Sequence, residues 1–183
     1  TDGIVLRRRD QGEADRVLSL STPMGKLDAI AKGARKIRSR KAGHIELFSR
    51  SQFVIARVAN SWDIISQAET LKPHAVLRSD LLRGTYARYA TELLDRFFAS
   101  GEGGQLLFDL LDNTLTWLCE DNDLDLITRF YEQRLLGLSG FRPELFHCVG
   151  DHTSRMPLLP GGTPKREGPY GFDLARGGAL CPD

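Results

Sequence analysis

Two groups of residues in this chain have the types and spacing for chemistry. The first is Lys32-Gly33-Ala34-Arg35-Lys36-Ile37-Arg38-Ser39-Arg40-Lys41, six cations and no acid in ten residues of a chain whose formal net charge is only +1. A run of this kind builds a local positive field, and the commonest partner of such a field is a phosphate backbone. The second group is Cys148 and Cys181, with Asp151 and His152 close behind the first cysteine. Thiolate, imidazole and carboxylate all ligate zinc, and a metal is the usual way to order a segment that has no hydrophobic core of its own.

Other motifs point away from catalysis. No nucleophile, base and orienting group fall into a recognisable arrangement, and His44, His74, His147 and His152 are scattered. Gly101-Glu102-Gly103-Gly104 lacks a preceding strand and a following Lys-Ser/Thr, so it does not read as a nucleotide-binding loop. Asp121, Asp123 and Asp125 suggest a divalent-metal nuclease as an alternative. Their place at a predicted helix start, where negative charge is stabilised, explains them more simply. Cys119, beside Leu118, reads as a core thiol. Three sparse cysteines form no disulfide framework and fit a reducing compartment.

The elements that must position these residues divide by charge. Residues 1–58 hold thirteen Lys and Arg against six Asp and Glu, residues 59–147 hold eight against fourteen, and residues 148–183 are balanced. Separate surfaces with separate partners are implied. No apolar run approaches the roughly 18 residues that cross a bilayer, and no signal-peptide pattern opens the chain, so a soluble cytoplasmic protein is expected.

Residues 3–9, 16–22, 26–31, 48–58 and 62–71 carry β-branched or alternating apolar positions between turn-prone residues. Turns at Asp10-Gln11-Gly12-Glu13, Pro23-Met24-Gly25 and Asn60-Ser61 suit a five-stranded meander closing into a small barrel. The basic run then falls in the connection after the third strand, where oligonucleotide-binding (OB) folds display a loop beside their binding face. Arg7, Arg8 and Arg9 end the first strand, and alternation sends Arg7 and Arg9 to one face and Arg8 to the other. Trp62 and Phe53 could offer stacking surfaces, although core packing is the favoured reading of both.

From Lys72 the period lengthens. Three helices are predicted, on stripes from Leu82 to Phe98, from Leu106 to Leu118 and from Leu124 to Leu138. Between Gly150 and Gly178 nine Pro and Gly argue for loop. The expected organisation is therefore α+β: an OB barrel over residues 1–71, a helical domain over 72–147, and a loop-rich segment with candidate zinc ligands over 148–183.

At this point the residues resemble a known family. Gly3-Ile4-Val5-Leu6, Gly12-Glu13-Ala14-Asp15-Arg16, Leu18-Ser19-Leu20-Ser21-Thr22, Gly25-Lys26-Leu27 and Ala31-Lys32-Gly33-Ala34-Arg35-Lys36 are similar, in order and spacing, to the opening of the bacterial recombination mediator RecO. Ser39-Arg40, Glu46-Leu47-Phe48 and Gly140-Phe141-Arg142-Pro143 before Cys148 extend the likeness over most of the chain.

That resemblance implies a non-enzymatic protein acting in DNA repair and recombination. It would bind single- and double-stranded DNA, anneal complementary strands and, with RecR, promote RecA loading on strands coated by single-strand-binding protein, whose acidic C-terminal tail it also contacts. Lys32, Arg35, Lys36, Arg38, Arg40 and Lys41 would touch phosphates, flanked by Arg7 and Arg9. Part of the same surface would face RecR. Arg83, Arg88 and Arg134 are too evenly spread to mark the tail's pocket. Zinc-bearing members carry two Cys-x-x-Cys pairs, whereas here Asp151 stands where the second cysteine of one pair would be, and the other pair stops at Asp183. Zinc would then need Cys148, Cys181, Asp151 and His152 together; the alternative is a degenerated loop whose thiols ligate no metal. The start at Thr1 and the stop at Asp183 suggest a trimmed chain. The rival reading is another OB-fold nucleic-acid binder, acting on RNA.

Overall fold

The computed structural model describes residues 1–59, 61–150 and 169–182. They fall into two compact units, Thr1–Leu135 and Leu136–Asp183.

The first unit opens with five strands, β1 (Asp2–Gln11), β2 (Asp15–Thr22), β3 (Gly25–Ala31), β4 (Arg50–Ala56) and β5 (Asp63–Lys72). They close a barrel in the order β1-β2-β3-β5-β4. The path is not a simple meander. After β3 the chain crosses to β4, which pairs antiparallel with β1, and β5 then returns to lie parallel to β3 at Ala29 and Ile30. That crossover gives the OB-like topology, and the basic run is the first half of the crossing. Of the predicted turns, Asn60 lies outside the described residues.

Alternation fills the barrel with Val5, Leu18, Leu20, Ala29, Phe53 and Ile65, each at most 1% exposed. Each such side chain contributes about 1.5–3 kcal/mol by leaving water. Phe53 is therefore a core residue, as the favoured reading has it. Trp62 is not: it stays 37% exposed beside the mouth of β5. In β1 the pairing register slips between Val5 and Arg7, so Leu6 is an extra residue against β2. This bulge re-aims the arginines beyond it.

The helical part has one element more than predicted, a single turn α1 (Val76–Ser79) before α2 (Leu81–Phe97), α3 (Gln105–Glu120) and α4 (Leu124–Leu138). Four residues are too few for a periodic stripe. Gly84, inside α2, is where α1 lies close: a Cβ there would come within 2.5 Å of the Leu77 carbonyl oxygen. The predicted stripe on α2 is only partly the buried one. Ala87, Ala90, Thr91 and Leu94 are buried, whereas Leu82 is well exposed. Arg83 caps α3, donating to the carbonyls of Leu118 and Asp121 at 2.6 and 2.5 Å. Tyr131 on α4 donates its hydroxyl to the Ala90 carbonyl at 2.9 Å, and burial drives its pKa up.

Two of the fastenings between barrel and helices stand out. Arg50 on β4 bonds Asp2 on β1 at 2.6 Å and Asp112 on α3 at 2.8 Å, while Lys72 on β5 reaches the same Asp112 oxygen at 2.8 Å. Hydrogen bonding to Asp2, reinforced by Asp112, raises the Arg50 pKa. The second fastening is the β2–β3 turn. Lys26 exchanges backbone bonds with Glu102 and Gly101 at 2.7 and 2.8 Å, and its ammonium lies 2.6 Å from an Asp95 carboxylate oxygen. Gly101-Glu102-Gly103-Gly104 is thus a docking loop.

The sequence predicts a loop-rich segment over residues 148–183, but β6 (Gly171–Asp173) and β7 (Gly178–Leu180) pair there as an antiparallel hairpin. The glycines act here as turn and packing positions. Gly177 has φ +66°, and Asp173 Oδ1 accepts from the Ala175 and Arg176 amides at 2.8 and 3.1 Å.

Candidate nucleic-acid interface

The basic run is held at both ends and open between them. At its start the Gly33 amide donates to Asp15 Oδ1 at 2.7 Å, the Arg35 amide donates to the Ala14 carbonyl at 2.9 Å, and Ala34 enters the barrel core. At its end Lys41 Nζ donates to the Ile65 carbonyl at 3.1 Å, and Ile45 enters the same core. The segment is thereby pinned to the β1–β2 turn and to β5.

The six cations divide in two. Arg35 and Lys41 are engaged with the protein: Arg35 Nε lies 3.2 Å from Asp10 Oδ2, and its Nη1 donates to the carbonyls of Gly12 and Glu13. A hydrogen bond from Arg16, helped by the charge of Arg35, holds the Asp10 carboxyl below its usual range. Lys32, Lys36, Arg38 and Arg40 are exposed and form no ion pair with the described residues. Ile37, fully exposed, stands among them. Four cations on an anchored loop, with no ion pair among the described residues to break first, can neutralise phosphates, which favours electrostatic, sequence-independent binding.

Arg7 and Arg9 lie on one face of the barrel, opposite Ser19 and Val17 in the β1–β2 register. Arg7 Nη2 donates to Ser19 Oγ at 3.4 Å, and its Nε lies 3.2 Å from Asp95 on α2. The Arg9 guanidinium sits 5.0 Å from the centroid of the Trp62 ring. Arg8 turns the other way and pairs with Glu46 at 2.6 Å, as alternation predicts. A cleft of about 370 Å³ separates β1 from α2, with Leu6, Phe48, Arg88 and Arg96 among its walls, and Arg7 borders it. Sequence reasoning missed Ser19 and Asp28, which share the barrel face with Arg7 and Arg9. The signal was Asp28 itself, a carboxylate between apolar neighbours on a strand.

The remaining named residues sort plainly. Asp121 and Asp123 accept backbone amides at the start of α4, and Asp125 accepts the Tyr86 hydroxyl. Backbone hydrogen bonds hold Asp121 below the usual carboxylate range. Cys119 is half-buried, and burial raises its thiol pKa. In the second unit the sulfurs of Cys148 and Cys181 lie 3.3 Å apart, well beyond the about 2.05 Å of a disulfide. Two converging thiols fit two corners of a tetrahedral zinc site. Asp151 and His152 lie outside the described residues, and among the described residues no group of three or more His, Cys, Asp or Glu is placed to hold a metal. No helix among the described residues is long and apolar enough to cross a membrane.

Comparison with known proteins agrees with this geometry. Residues 1–74 match the family model described as Recombination protein O N terminal, which spans the barrel, and residues 78–155 match that described as Recombination protein O C terminal. A relative from Roseiflexus, named DNA repair protein RecO, is 38% identical over the whole chain, which covers 61% of that protein. One of the same name from Desulforamulus reducens is 41% identical over the whole chain, covering 67% of its length. A third, from Desulforudis audaxviator, is 38% identical over 99% of the chain and 68% of its own length. The chain thus spans about two thirds of the relatives it matches, and by these matches it belongs to the RecO family of DNA repair proteins.

Proposed function

We propose that this chain is the nucleic-acid-binding part of a recombination mediator that works without catalysis. It binds single- and double-stranded DNA through phosphate contacts from Lys32, Lys36, Arg38 and Arg40, with Arg35, Lys41, Arg7 and Arg9 flanking them, and it anneals complementary strands. The observation that carries this reading is the anchored loop between β3 and β4, four of whose cations are exposed and form no ion pair with the described residues. Each Lys or Arg that meets a phosphate releases counterions, so affinity comes without base reading, as annealing of any sequence requires.

In the same reading RecR shares part of this loop, the acidic tail of single-strand-binding protein is a second partner, and RecA loading is the outcome. A zinc ion would take Cys148 and Cys181 as ligands, with Asp151 and His152 as the remaining candidates. Annealing of complementary labelled strands, run beside co-precipitation with RecR, tests the function. Strand pairing and RecR capture that both fall when Lys36, Arg38 and Arg40 become Ala are expected, and failure of the unsubstituted protein to anneal would overturn it. Metal analysis of the purified protein tests the zinc site, with one zinc per chain expected.

A further inference from the structure

Arg7, Ser19 and Asp28 form a row across the outer face of the barrel, one residue from each of three neighbouring strands. The register sets Ser19 opposite Arg7 on one side and opposite Asp28 on the other. The buried Ser19 hydroxyl donates to Asp28 Oδ1 at 2.5 Å and accepts from Arg7 Nη2 at 3.4 Å. Two residues along β1, Arg9 stands opposite Val17 and lays its guanidinium 5.0 Å from the centroid of the Trp62 ring. Arg7, Arg9, Val17, Ser19, Asp28 and Trp62 together line a cleft of about 100 Å³.

The chemistry of this cleft differs from that of the basic loop. At about 100 Å³ it is smaller than the ~150 Å³ that encloses a benzene ring, so it takes the edge of a planar ring and not a chain segment. The exposed Arg9 guanidinium, 5.0 Å from the centroid of the exposed Trp62 ring, forms with it a cationic and aromatic surface open to a further π system. The row beneath offers a carboxylate acceptor at Asp28 and a guanidinium donor at Arg7. A phosphate or a peptide carboxylate could use Arg7 and Arg9 but would leave the Asp28 acceptor and the indole face unused. A nucleobase is neutral, stacks, and carries donors and acceptors on one edge. A base inside a duplex offers neither its face nor that edge.

We propose that the cleft takes the edge of one unpaired nucleobase of a single strand, whose ring lies against the Arg9–Trp62 pair while Asp28 and Arg7 meet its hydrogen-bonding edge. This rests on the nucleic-acid-binding reading above and adds to it a contact that duplex cannot make. The loop holds phosphates of either form, and the cleft distinguishes a single strand from a paired one. During annealing the held base must leave the cleft to find its partner.

The test compares the unsubstituted protein with Trp62→Ala and Trp62→Phe, measuring affinity for a fluorescent strand of about 12 nucleotides and for its duplex. Thermal unfolding of each variant accompanies the titrations. Trp62→Ala is expected to lose about tenfold in single-strand affinity, within the usual range for one stacked base, with duplex affinity unchanged. Trp62→Phe keeps an aromatic face and retains most of the binding. Equal loss on strand and duplex, or no loss on the strand, overturns the base cleft while leaving the loop reading intact. An unsubstituted protein that binds neither form at low salt overturns both.

Discussion

Arg35 Nε lies 3.2 Å from Asp10 Oδ2, so one of the six cations of the basic run, though exposed, is tied to the end of β1. The pair joins the loop to the strand that carries Arg7, Arg8 and Arg9, and it leaves the outward charge to its neighbours. Within one run of like residues, Arg35 serves position while Lys32, Lys36, Arg38 and Arg40 stay exposed.

The anchor can be loosened without touching a cation. Asp15 Oδ1 accepts the Gly33 amide at 2.7 Å. Asp15→Ala is expected to cost about 1.5–3 kcal/mol, the range for a hydrogen bond to a charged group. Hydrogen exchange should show the Gly33 amide losing its protection outright, while barrel amides such as that of Leu20 lose only what the fall in global stability takes from them.

The β2–β3 turn carries a sharper constraint. Gly25 has φ +116°, and a Cβ there would stand 2.9 Å from the carbonyl oxygens of both Gly101 and Glu102. Gly25→Ala therefore meets backbone strain and a clash against backbone together. A loss of about 2–4 kcal/mol is expected in chemical unfolding. An unchanged midpoint would mean that the turn does not dock on the loop after α2.

Stability should also respond to acid through His74. This ring is buried, its Nδ1–H donates to the Phe48 carbonyl at 2.9 Å, and burial lowers its pKa below the ordinary 6.5. The unfolded chain binds the proton more readily than the folded one. The neutral ring's contribution is complete above pH 6.5 and declines as pH falls through the lowered folded pKa. His74→Gln should flatten that part of the stability profile, measured by thermal unfolding between about pH 5 and pH 7.

Much of this architecture is legible in the sequence, because its signals are periodic. The five strands and three long helices each carry several residues of one pattern, and the structure places them within a few positions of the predicted bounds. What was not legible depends on tertiary contact. Four residues of α1 cannot show a helical period, and the crossover that replaces the meander depends on β4 finding β1. Trp62 looked like core because an indole usually is, and only the fold brings Arg9 over it. The basic run was plain as a run, but its division into anchoring and exposed cations follows from where Asp10 and Ile65 stand.

The central claim is that the exposed cations of this loop hold a phosphate backbone. Its most direct test is the salt dependence of single-strand affinity for the unsubstituted chain and for the variant carrying Lys32→Ala, Lys36→Ala, Arg38→Ala and Arg40→Ala. Each phosphate contact contributes about 0.7 to the slope of log affinity against log salt, so the variant should bind more weakly at low salt, with a slope flatter by up to about 3. Equal affinity and an equal slope for the two proteins would contradict the account.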